Sequence, residues 1–203
     1  MAASRPLGRL LLRGSLLLTA ILILWWLALQ TPMLAILRVC EDVTLRLVGS
    51  EPGDPISVEP SGDWTFRIPV GHPSPTAKIA SIEFSMSRSD VVLFTFSLPL
   101  YCALALAVPV QKSAFRALLY GAAAVLAIEV FSLLGFVEIT AQSLLSQMDP
   151  SARGLAPWPR DFSSYLLTQV IPFAAPLVIA VASSRELRRQ IFGALPHSMP
   201  APE

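Results

Sequence analysis

The stretch LLYGAAAVLAIEVFSLLGF, Leu118–Phe136, decides the fold. It holds a single acidic or basic side chain, Glu129, and is long enough as a helix to cross a hydrocarbon core of ~30 Å, which takes ~20 residues. Arg116 closes its leading end. Three other stretches read the same way: Leu16–Leu29, Phe94–Val110 and Tyr165–Val181. Within lipid every backbone N–H and C=O must find its partner inside the chain, so only helices and closed barrels cross. The sequence therefore predicts an all-α polytopic membrane protein with four transmembrane helices. Composition agrees: 54% of residues are hydrophobic and 14% charged, with mean hydropathy +0.61, whereas an ordinary soluble domain carries ~25% charged residues.

Charge sets the orientation. Arg5, Arg9 and Arg13 precede the first span, Lys112 and Arg116 separate the second from the third, and Arg185, Arg188 and Arg189 follow the fourth. These segments share one side of the membrane and carry eight of the fifteen basic residues but only two acids, Glu186 and Glu203. Positive charge close to short loops marks the cytoplasmic side. Both termini are thus expected in the cytoplasm, with the segment between the first two spans outside. The expected division is 1–31 for the N-terminus and first span, 32–90 for an extracytoplasmic unit, 91–184 for the remaining spans and 185–203 for a cytoplasmic tail. The first span reads as an uncleaved anchor, because bulky Trp25 and Trp26 and the closing Ala28-Leu29-Gln30 do not make a small-x-small cleavage site.

The outer unit opens on Thr31-Pro32, a capping residue followed by a first-turn proline, which predicts the start of a separate amphipathic helix ending near Gly49. Leu34, Leu37, Leu45 and Val48 fall on its apolar face, with Arg38, Glu41, Asp42 and Arg46 assigned to the others. Beyond it, period-two alternation at Trp64, Phe66 and Ile68, and again at Ala80, Ile82, Phe84 and Met86, predicts half-buried strands. A short strand at Ile56–Val58 completes a small β-rich insertion, a three-stranded antiparallel meander between helices one and two. Some forty residues bury little core alone, so the sheet's apolar face is expected to rest on the preceding helix, the bundle rim or another protein.

Inside the bilayer, Glu129 stands thirteen residues from Arg116, ~20 Å along the helix and in the outer half. An acid at a helix centre costs ~2.5–3.5 kcal/mol on insertion scales and such residues face the bundle interior. Tyr165, Thr168 and Gln169 of span four, and Ser97 and Tyr101 of span two, reach similar depth, so a candidate intramembrane polar cluster forms around Glu129. It is open to three readings: a satisfied structural group, a contact to a partner membrane protein, or a proton or substrate site. Pro99, Pro172 and Pro176 predict helix kinks, since each lacks the N–H its helix would use. Small residues at Gly121 and Ala124 of span three, and Ala103 and Ala107 of span two, predict close helix packing.

Motifs for chemistry are sparse. Cys102 lies in an apolar helix without a nearby arginine or histidine, and Cys40 has no histidine within a helix turn, so neither reads as an activated nucleophile. There is no G-x-S-x-G, Walker A loop or dinucleotide fingerprint. His72 sits in a proline-rich turn without a second metal-type ligand. A net charge of +1 without a basic stripe excludes nucleic acid. No catalytic residue, cofactor or metal is expected.

Two segments carry a family resemblance. Phe96-Ser97-Leu98-Pro99-Leu100-Tyr101-Cys102-Ala103-Leu104-Ala105-Leu106-Ala107 resembles the second span of the exosortase H-associated membrane proteins. Tyr165-Leu166-Leu167-Thr168-Gln169-Val170-Ile171-Pro172-Phe173-Ala174-Ala175-Pro176-Leu177 resembles their last span, with its leading tyrosine and paired prolines. The tryptophan-bearing anchor followed by Thr31-Pro32 is also similar. The resemblance implies a non-catalytic accessory or docking protein in the bacterial inner membrane, whose partners are the lipid bilayer and an exosortase-like membrane protein that processes or sorts exported proteins. From the residues alone, the alternative is a small transporter-like or lipid-interacting protein that uses the cluster around Glu129.

Overall fold

The computed structural model describes residues 4–48, 54–69, 81–107, 114–148, 155–184 and 187–189. Gly49, His72, Ala80, Pro109, Lys112 and the C-terminal tail lie outside the described residues.

The first span does not end where Thr31-Pro32 predicts. Helix α1 (Ser4–Leu24) passes through one π-helical turn (Trp25–Leu29) into α2 (Gln30–Val48) without a break. The physical reason lies just ahead of the proline. Pro32 cannot donate to the carbonyl of Ala28, and its ring would crowd that carbonyl in a regular helix. The Gln30 N–H reaches instead to the Trp25 carbonyl, five residues back. The widened turn takes up the misfit and the helix continues. Leu12–Leu47 is therefore one apolar helix of 36 residues, ~54 Å long at ~1.5 Å per residue. The segment after Thr31-Pro32 is the continuation of the first span and not a separate helix.

Between α2 and the second span comes the sheet, β1 (Ile56–Val58), β2 (Trp64–Pro69) and β3 (Ser81–Met86), antiparallel in the order β1-β2-β3. The register pairs Trp64 with Met86, Phe66 with Phe84 and Ile68 with Ile82, so the predicted apolar positions share one face. Phe66 stacks on Phe84 with ring centroids 5.5 Å apart. On the opposite face Arg67 pairs with Glu83. The apolar face packs with Leu37 of α2, and with Leu133 and Val137 of the third span, in one buried cluster. The sheet is thus roofed onto helices, as its small size requires.

The second span is divided. After α3 (Arg88–Phe94), capped by the Ser87 side chain, the chain makes a tight turn at Thr95-Phe96 and resumes as α4 (Ser97–Ala107). The third span, α5 (Ala114–Met148), is a 35-residue helix that runs well past Phe136, and its stretch around Leu133 and Val137 supports the sheet. The fourth consists of α6 (Pro157–Tyr165), a π-helical turn (Leu166–Val170) and α7 (Ile171–Ser183). The Arg160 guanidinium donates to the Ser143 hydroxyl at 3.1 Å and ties α6 to α5. Four helices are long and apolar enough to cross a membrane. Leu16, Leu27, Tyr120, Phe131 and Val178 are exposed on their outer surfaces, the distribution that a lipid solvent demands.

Candidate functional site

The divided second span creates the environment of Glu129. Pro99 falls in the first turn of α4, where a missing N–H costs little; it starts a helix here rather than kinking one. The turn at Thr95-Phe96 leaves the Leu98 N–H without its carbonyl four residues back. That donor is met by Glu129: Leu98 N–H donates to Oε1 at 3.1 Å. A carboxylate at a helix N-terminus complements both the free N–H groups and the positive end of the helix dipole. Here the acid comes from a neighbouring helix rather than from the cap residue.

Glu129 is 2% exposed, Ser97 2% and Thr95 fully buried. The Ser97 side chain is the other polar neighbour of the carboxyl, whereas Glu129 Oε2 has no hydrogen-bond partner among the described residues. Thr95 is satisfied locally, its hydroxyl donating to the Val92 carbonyl at 2.9 Å. Phe96, at the turn itself, is edge-on to Trp25 with centroids 6.4 Å apart and 5.6 Å from Phe173. The aromatic row Trp25-Phe96-Phe173 joins the break in span two to the π-helical turn of span one and to the helix that follows the π-helical turn of span four.

The rest of the predicted cluster does not converge on the carboxyl. Tyr101 is fully buried, but its hydroxyl donates to the Ala117 carbonyl at 3.0 Å, three helical turns of α5 from Glu129. It lies against Gly121 so closely that a Cβ there would fall 1.8 Å from the hydroxyl oxygen. Thr168 donates to the Ser164 carbonyl of its own helix at 2.8 Å. Tyr165 and Gln169 are exposed. Matched depth is not matched direction: the π-helical turn Leu166–Val170 alters the angular progression along span four. That turn also accommodates Pro172, since the Ile171 N–H bonds to the Leu166 carbonyl five residues back. Only Pro176 sits inside a regular helix.

Two features escape the sequence reading. The sequence assigns Glu41 to a face of α2 other than the apolar one, yet it is fully buried and neither carboxyl oxygen has a hydrogen-bond partner among the described residues. The signal was available: Glu41 stands four residues from both Leu37 and Leu45, in the middle of the apolar stripe. The second feature is a groove of about 570 Å³ between α2 and the β1–β2 hairpin. Its residues are scattered over two elements and a turn, so no local motif announces it. Cys40 and Cys102 are free and partly buried. Among the described residues, no three His, Cys, Asp or Glu side chains gather as a metal site.

The family model described as exosortase H-associated membrane protein matches residues 4–187, and the chain belongs to that family. No curated protein matches it, and no solved structure does.

Proposed function

We propose that this exosortase H-associated membrane protein is a non-catalytic docking subunit for a membrane-embedded protein-sorting enzyme, held in the bacterial inner membrane with both termini in the cytoplasm. The observation that carries the reading is the family match over residues 4–187, whose description names association with exosortase. The architecture supports it. Helices α2, α3 and α5 carry the small sheet between them, which would give a membrane anchor a structured platform outside the bilayer. The test is co-purification of the tagged full-length chain from a mild detergent. Recovery of an exosortase supports the docking role; its consistent loss under conditions that keep other membrane complexes intact overturns it.

A second reading, a transporter-like or lipid-interacting protein, draws on the unpartnered Oε2 of Glu129. Glu129→Gln separates the two. Glutamine keeps the oxygen that receives the Leu98 N–H but has no proton to exchange. The docking role expects unchanged exosortase recovery and unchanged sorting. Lost sorting with an intact complex favours the proton-linked role.

A further inference from the structure

The groove between α2 and the β1–β2 hairpin has two walls of different character. One is the α2 face carrying Leu34, Arg38 and Asp42; the other is β1 with the turn that leads to Trp64. Among the described residues, β1 pairs with β2 alone. The ladder fixes which way its backbone points. The Arg67 N–H donates to the Pro55 carbonyl at 2.8 Å and the Glu59 N–H to the Asp63 carbonyl at 2.9 Å, so odd-numbered residues face β2. Ile56 and Val58 direct their N–H and C=O groups to the opposite edge, and both line the groove. An unpaired strand edge is a template for another strand.

Charge adds selectivity. Arg38, Arg46 and Arg88 line the groove with Asp42 and Asp54. Arg46 engages both acids, Asp42 at 2.8 Å and Asp54 at 2.7 Å. Among the described residues, Arg38 and Arg88 have no carboxylate within ion-pair distance. Arg88 is placed by the hairpin: its N–H donates to Asp63 Oδ1 at 3.0 Å and its stem crosses Gly62. Gly62 has φ +90°, and a Cβ there would meet the Arg88 Cδ at 2.9 Å.

We propose that this groove binds an extended acidic segment of a partner protein, which adds a strand beside β1 and presents a carboxylate to Arg38 and Arg88. Main-chain pairing at an edge gives such a peptide affinity while side-chain contacts give selectivity. A segment of about five residues, at ~3.3 Å each, covers the free edge. A lipid headgroup fits less well, because it shares the negative charge but offers no N–H and C=O groups to the free edge of β1. The proposal does not rest on an exosortase contact; any exported protein with such a segment satisfies it.

The probe is fluorescein-labelled Val-Glu-Val-Glu-Val, acetylated and amidated, titrated onto the full-length chain in detergent and read by anisotropy. The matching Val-Lys-Val-Lys-Val peptide and a Glu peptide N-methylated at alternate amides are the comparisons. Saturable binding of the Glu peptide is expected, weakened at least ~10-fold by lysine, by N-methylation and by the Arg38→Gln, Arg88→Gln double change. Val58→Pro is the independent variant. It removes an N–H that the β1–β2 ladder does not use, a position where an edge strand tolerates proline, and it should abolish binding with the thermal transition preserved. Equal binding of the Glu and Lys peptides, indifference to N-methylation, or no binding up to ~1 mM overturns the proposal. So does competition by anionic phospholipid nanodiscs in place of peptide binding. Exosortase recovery with the Val58→Pro protein is measured in parallel, so loss of the peptide site and failure of the docking role are told apart.

Discussion

At the scale of single residues, the interior is decided by a few polar groups whose partners are backbone atoms. Glu129 was legible as a buried acid, because thirteen residues beyond Arg116 leave it deep in the bilayer. Its partner was not legible: a free N–H at a helix break has no letter in the sequence, and equal depth alone points to Tyr165, Thr168 and Gln169 instead. Tyr101 shows the same bias toward backbone, bonding the Ala117 carbonyl across Gly121. Gly121→Ala should destabilise the detergent-solubilised protein by ~1–3 kcal/mol through overpacking, seen as a lower thermal midpoint. Combining it with Tyr101→Ala should cost much less than the sum of the two changes, and strict additivity would disprove the contact. Glu41 predicts the reverse sign. A buried carboxyl without partners carries a desolvation penalty of ~1–3 kcal/mol. Glu41→Met should therefore raise the thermal midpoint by ~2–10 °C. A fall would show that the acid has a polar role.

At the scale of elements, alternation was the dependable signal. Trp64, Phe66 and Ile68 against Met86, Phe84 and Ile82 gave the sheet's face and partners, because a half-buried strand must alternate. The sheet's dependence on its surroundings leads to a second-level prediction. Leu37, Leu133 and Val137 complete its core from two helices, so a peptide covering residues 50–90 should show no cooperative thermal transition by circular dichroism. A sharp transition would establish an independent domain. What alternation could not reveal was continuity. Thr31-Pro32 reads as a helix start by every local rule, yet the π-helical turn at Trp25–Leu29 carries the helix through it. Such a turn has no composition of its own; it arises when packing on both sides favours a longer helix over an end. Here the Trp25-Phe96-Phe173 row and the buried Leu37 hold the two sides.

At the scale of the whole molecule, four spans and a small outer sheet were legible because hydropathy and charge act over long stretches and average out local misreadings. Thiol labelling reports the side on which each segment lies. Single cysteines at Ser61 and Ser113, in a protein with Cys40 and Cys102 replaced, should differ in intact spheroplasts: an impermeant maleimide should modify position 61 and not position 113. The opposite pattern would invert the topology. The unbroken 36-residue helix of the first span has a mechanical consequence. It is a stiff rod, gripped partway along by Phe96 against Trp25 and farther along through Leu37, which lies in the sheet's buried cluster. With the Trp25 contact as fulcrum, a shift of the sheet that tilts one arm swings the other the opposite way, at Gly14 beside Ala107. A displacement that begins at the sheet is thereby felt at the far end of the bundle with no loop in between.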